Sequence, residues 1–217
     1  YSSALLAKNY IGYKFNSISF SYFLDSPIKI QGINIANTTH TEQKAVSVYS
    51  DVFISYCMFK NCYSKSGSGG GLSVTTPSSI ANLSPNSIKF QLLSTTFYNC
   101  SALSGGGIFI QFNGDISISN VCFNNCEAKV SNQAGFVDVA SGQPNSQISL
   151  NFTSIFRCPS KASSSLSSHL GMRNCFHIKA DDLSIHIDGI NSTYNENNND
   201  RGSILTLTGL KNVFIIY

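Results

Sequence analysis

Carboxylates beside imidazoles come closest in this 217-residue chain to an acid paired with a base, and they share one stretch: Asp181-Asp182 with His177, His186 and Asp188. Such a set can protonate a leaving oxygen and activate water at a glycosidic bond. Asp181, Asp182 and His186 are therefore the catalytic candidates. The same residues suit a solvated turn between two strands equally well in composition, and the turn is the preferred reading. No Ser-His-Asp or Cys-His arrangement stands out from spacing, and Asp138, inside an apolar run, calls for a charged partner only if it points inward.

Cysteine chemistry has more places to act. Of seven cysteines, Cys62, Cys100, Cys126 and Cys158 end similar four-residue motifs, whereas Cys57, Cys122 and Cys175 fall outside them. Stacked in one column, the four come within the Cα separation of a disulfide, and as small buried thiols they fill an interior equally well. Both readings stay open, and the odd total leaves at least one thiol unpaired or bridged outside the segment. Metal binding is not expected, because Cys57-x4-Cys62 and Cys122-x3-Cys126 lack a matching His pair. No cofactor is implied. The runs Gly69 to Gly71 and Gly105 to Gly107 precede no Lys-Ser or Lys-Thr and no helix, unlike a phosphate loop.

Five Asn-x-Ser/Thr triplets can accept an N-linked glycan: at Asn37, Asn82, Asn99, Asn151 and Asn191. Asn37 and Asn82 fall in expected loops, with Asn151 and Asn191 as further candidates. Asn99 belongs to a repeated motif that turns it into a stack. Charged residues are 12% of the chain and net charge is +3, so Ser, Asn, Thr and Gly make the polar surface. Scattered Lys and Arg do not form a stripe for nucleic acid, and no apolar run is long enough to span a bilayer. Together these features favour an extracellular or cell-surface setting.

The sequence repeats. Phe59-Lys-Asn-Cys62 leads to Gly69-Gly-Gly-Leu-Ser-Val74, Phe97-Tyr-Asn-Cys100 to Gly105-Gly-Gly-Ile-Phe-Ile110, and Phe123-Asn-Asn-Cys126 to Ala134-Gly-Phe-Val-Asp-Val139. Degenerate copies place Ala36 and Thr193 in the cysteine column, giving steps of 26, 38, 26, 32 and 35 residues. Each unit also holds an alternating strand, such as Ser87-Ile-Lys-Phe-Gln-Leu92 or Gln147-Ile-Ser-Leu-Asn-Phe152, with one face buried. Short strands at this period, without helical periodicity, predict an all-β, right-handed parallel β-helix of about six to seven coils. The whole of 1–217 is read as one segment of a longer solenoid, with coils near 26–50, 51–86, 87–114, 115–145, 146–181 and 182–210. A propeller blade would need about 40 residues and tight hairpins. Ile33, Phe59, Phe97, Phe123, Ile155 and Ile190 should form an apolar interior column, and Asn61, Asn99 and Asn125 an amide ladder.

The pairing of Phe-x-Asn-Cys with Gly-Gly-Gly-Ile or Gly-Gly-Gly-Leu resembles the repeats of polymorphic outer-membrane-protein-type adhesins and, more broadly, pectin-lyase-like parallel β-helices. The resemblance covers roughly residues 26–217. It implies a surface-exposed, non-catalytic structural or adhesive solenoid that contacts proteins or glycans. The alternative is a carbohydrate-active β-helix, a polysaccharide lyase or glycoside hydrolase. The acidic cluster resembles part of the polygalacturonase pattern without its Asn-Thr-Asp and Gly-His-Gly elements. The apolar run Val213 to Tyr217 reads as an open strand, to be covered by further coils of the same polypeptide or by a protein partner.

Overall fold

The computed structural model describes residues 9–11, 14–15, 28–37, 39–40, 46–47, 50–76, 88–131, 134–139, 146–158, 175–180, 183–193, 195 and 205–216. Among these, all regular structure is β-strand. Many strands alternate buried with more exposed positions, as in Gly114–Ser119, and so bury one face. They form four sheets, and every pairing is parallel between a strand of one repeat and its equivalent in the next.

The first sheet, of eight strands, runs Asn9–Ile11, Ile28–Gln31, Val52–Ser55, Ile88–Leu93, Gly114–Ser119, Gln147–Asn151, Ser184–Asp188 and Asn212–Ile216. A second of seven contains Met58–Lys60, Thr96–Tyr98, Cys122–Asn124 and Ser154–Phe156. A third of six contains Leu72–Thr75, Ile108–Gln111, Gly135–Val139, Phe176–Ala180 and Leu205–Thr208. The fourth holds Thr39–His40, Tyr63–Ser64, Ser101–Ser104 and Glu127–Ser131. In repeats where all four are described, the chain visits them in the order first, second, fourth, third before returning to the first.

Register stacks residues of like type. Ile30, Ile54, Leu92, Ile118, Leu150 and Ile187 are Cα partners in turn and all are buried. In the second sheet, Phe59, Phe97 and Phe123 do the same. The Phe59 and Phe97 ring centroids lie 4.9 Å apart at 7°, and those of Phe97 and Phe123 5.1 Å apart at 10°. Burial of each ring stabilises by about 1.5–3 kcal/mol, and stacking adds about 0.5–1.5 kcal/mol per pair.

The column's ends differ from expectation. Ile35, not Ile33, stacks on Phe59, and Ser192, not Ile190, on Ile155. Ala36 accordingly faces Lys60, and Thr193 faces Phe156. Backbone conformation decides this: Asn37 is left-handed at φ 56 and must align with Asn61 at φ 52, which shifts the frame by two. Ile33 and Ile190 instead take the inward place after the preceding turn, level with Cys57, Thr95, Val121 and Thr153.

The glycine runs have two separate reasons. Gly105 is left-handed at φ 59, where a side chain is disfavoured. Gly107 lies under an aromatic ring: a Cβ there would come 2.7 Å from Phe123, as one on Gly71 would come 2.6 Å from Phe97. Ala134 stacks on Gly107 rather than Gly105, and Gly135 pairs with Ile108, a second two-residue correction. Gly135 leaves space for the Phe176 ring.

Candidate functional site

Of the alternative acid and base candidates, only His186 lies among the described residues. Asp181, Asp182 and Asn82 lie outside those residues. His186 is exposed on Ser184–Asp188 of the first sheet, between Ser149 and Phe214. His177 belongs to the third sheet, where its Nε2 lies 3.0 Å from Thr208 Oγ1. Burial lowers the His177 pKa, with Asp138 opposing and Lys179 adding to the shift. No cluster of three or more His, Cys, Asp or Glu able to hold a metal occurs among the described residues.

Asp138 points outward, because Val137 and Val139 take the buried positions. Its Oδ1 lies 3.8 Å from Lys179 Nζ, and its Oδ2 accepts from Gln111 Nε2 at 3.4 Å. The outer face of the first sheet carries a shallow depression of about 220 Å³ lined by Lys89, Gln91, Asp115, Ser117, Gln147 and Ser149 among others. Asp115 is its only carboxylate, and Oδ1 of that residue accepts from the Gln147 backbone N–H at 3.0 Å. Asp51 accepts from the Lys89 N–H in the same way, at 2.8 Å. Both carboxylates thus satisfy the backbone of the following repeat. Glycoside hydrolysis needs two carboxyl groups flanking one bond, and the depression supplies one.

The asparagine ladder extends further than its sequence motif. Asn61 donates to Asn37 Oδ1 at 2.8 Å, Asn99 to Asn61 at 2.8 Å, and Asn125 to Asn99 at 3.0 Å. All four are left-handed, with φ between 51 and 56. Asparagine tolerates that conformation, so one residue type serves both turn and ladder. Arg157, at φ 48, continues the turn after Asn125.

All seven cysteines are free thiols; of the two open readings, the structure has the thiol column and no bridge. Cys62, Cys100, Cys126 and Cys158 are buried, and each Sγ donates to the carbonyl two residues before it, at 3.4–3.7 Å. Thr95 Oγ1 does the same to the Leu93 carbonyl at 2.9 Å, which explains why Thr and Cys share the inward turn position of Cys57. Side-chain hydrogen-bonding contact with the Cys126 and then the Cys62 thiol shifts the Cys100 thiol well below its ordinary pKa. Cys126 is raised well above it, chiefly by burial, while the contact with Cys126 lowers Cys158. Burial also raises Cys57 and Cys122, and pushes Cys175 up to about 12.

The glycan acceptors separate by geometry. Asn191 is exposed on Asn191–Thr193. Asn37, expected in a loop, is exposed but engaged in the ladder. Asn99 commits its amide nitrogen to Asn61. Asn151 turns Oδ1 into buried space without a hydrogen-bond partner.

Apart from the final strand, the exposed large apolar residues among those described are Tyr56, Met58, Leu93, Tyr98 and Phe152: Met58 and Tyr98 on the second sheet's outer face, Tyr56 and Phe152 in turns leading into it, and Leu93 at the end of Ile88–Leu93 in the first sheet. Of these, Tyr98 alone occupies the variable place of Phe-x-Asn-Cys, whose other occupants are Lys60 and Asn124. In the final strand Val213, Phe214, Ile215 and Ile216 are all exposed, with Ser184–Asp188 as the paired neighbour. No helix among the described residues is long and apolar enough to cross a membrane. Comparison with family models, with curated proteins and with solved structures gives no match.

Proposed function

We propose that the chain is a right-handed parallel β-helix of about six to seven coils, serving as a non-catalytic extracellular or cell-surface scaffold that contacts proteins or glycans. Four parallel sheets, each revisited once per repeat, support the winding, and parallel crossovers are right-handed in nearly all cases. Low charge and an exposed Asn191 acceptor support the compartment. The apolar, exposed strand Asn212–Ile216 supports a cover of further coils or a protein partner.

One observation carries the non-catalytic part. Along the first sheet the outward column reads Lys29, Phe53, Gln91, Ser117, Ser149 and His186, and the nearby Asp115 is engaged by a backbone N–H. Nothing there is poised as an acid opposite a base. The test incubates the purified chain with polygalacturonate, heparin and neutral glucans, and follows new reducing ends and unsaturated products. No turnover is expected; turnover that disappears in Asp181→Ala or Asp182→Ala would establish the lyase or hydrolase alternative instead.

A further inference from the structure

We propose that the buried cysteine column is a binding site for thiophilic monovalent cations, Cu(I) or Ag(I), each held in line between the thiolates of two successive repeats. This goes beyond the scaffold reading, because it concerns the interior and not the faces a partner would touch. The column comprises Cys62, Cys100, Cys126 and Cys158, all at most 1% exposed. Residues flanking one cysteine are Cα partners of those flanking the next, as Tyr98 is of Lys60 and Asn124, and Ser101 of Tyr63 and Glu127. The sulfurs also share one orientation. Besides the carbonyl of its own repeat, each Sγ meets one in the repeat before: Ile35 at 3.7 Å from Cys62, Phe59 at 3.4 Å from Cys100, Phe97 at 3.6 Å from Cys126 and Phe123 at 3.8 Å from Cys158.

Spacing selects the occupant. Side chains stacked in register on parallel strands stand about 4.8 Å apart. A disulfide needs its Cβ atoms within about 3.5–4.5 Å, so an S–S bond would have to pull two repeats together. A cation midway, with metal–sulfur bonds of about 2.3 Å like those of zinc thiolates, spans about 4.6 Å and fits the existing step. Soft thiolate ligands select Cu(I), and a filled d shell accepts two ligands in line. Zinc instead requires four convergent ligands, and no three His, Cys, Asp or Glu converge among the described residues. Four stacked thiols enclose three gaps. Filling every gap releases one proton from each thiol and leaves three cations among four thiolates, a single net negative charge. The thiol-to-carbonyl contacts given up are weak ones. Cys57 supplies the control: it is buried as well, but Ile33 and Thr95 are its stacked neighbours and no thiol faces it.

The chain is refolded from urea with Ag(I), stripped with excess glutathione and weighed by native mass spectrometry, which counts both the silver retained and the protons lost. Three ions and the loss of four protons are expected. Cys100→Ser leaves one adjacent pair and should retain one ion, whereas Cys158→Ser leaves three adjacent thiols and should retain two. Cys57→Ser should still retain three. If Cys100→Ser does not fold, Cys62→Ser takes its place and should retain two. Zn(II) offered instead of Ag(I) should be stripped. No retained silver, an unchanged count in the folded column variants, or a lower count in Cys57→Ser overturns the site. Retained Zn(II) overturns it as well, since that would require convergent ligands.

Discussion

Asn99 donates its side-chain amide to Asn61 Oδ1 at 2.8 Å while its own backbone is left-handed at φ 51. A single residue thus closes a turn and ties two repeats together, and the two contributions can be separated. Asn99→Gly keeps the turn and loses the ladder bonds, whereas Asn99→Ala loses both. Urea unfolding should show a loss of about 1 kcal/mol for glycine and about 1–2 kcal/mol more for alanine, from the added backbone strain. Equal losses would mean that the left-handed turn contributes nothing.

Phe97 lies between Phe59 and Phe123 and is fully buried. Phe97→Ala should destabilise by about 3–5 kcal/mol. Gly71→Ala should also destabilise, since its Cβ meets the Phe97 ring at 2.6 Å. Combined with Phe97→Leu, the Gly71→Ala change should cost less than the two separately, a coupling that a double-mutant cycle by thermal or urea unfolding measures directly.

Thiol accessibility follows the burial pattern. In the native protein Cys122, half-buried on the second sheet, should react first with a bulky thiol reagent. Cys62, Cys100, Cys126 and Cys158 should react only on unfolding. Labelling followed by peptide mass mapping checks the order, and rapid native labelling of the column would contradict the packing.

Cys175 gives a pH dependence. Its folded pKa is raised from 9.0 to about 12 by burial. The neutral thiol is thus favoured in the native state, and the unfolded chain loses its proton first as pH rises. This stabilising share is complete below pH 9 and is lost between about pH 9 and 12. Cys175→Ala should therefore flatten the decline in stability over that window, as read from urea midpoints at each pH; an unchanged slope would contradict the burial.

Glycan occupancy should follow exposure and amide engagement. Secreted from a glycosylating host, the chain should carry glycan at Asn191 and none at Asn99, whose Nδ2 is committed to the ladder. Site-resolved mass spectrometry distinguishes them.

The three strongest repeats were legible in the sequence because Phe, Asn and Cys recur where ring stacking, a left-handed turn and a carbonyl-capping thiol each demand them. At the ends the same positions hold Ile35 and Asn195, whose neighbours offer no identical motif. Identity of type then misplaced Ile33 and Ile190 by two residues, although Asn37 carried the turn signal that fixes the frame. Asn195 replaces the cysteine by accepting the Cys158 N–H at 2.8 Å, a backbone role that no residue pattern advertises. The second-sheet face was illegible for a different reason: Tyr98 and Phe156 look like core residues until the parallel register turns them outward.

Parallel, in-register stacking of the repeats is tested most directly by solution NMR of selectively labelled protein. Ring protons of Phe97 should give cross-relaxation to both Phe59 and Phe123, with no direct contact between Phe59 and Phe123. Amide-to-α contacts should link Phe97 to its neighbours in the parallel pattern. Direct Phe59 to Phe123 contact, or the close α-to-α contacts of antiparallel strands, would contradict it.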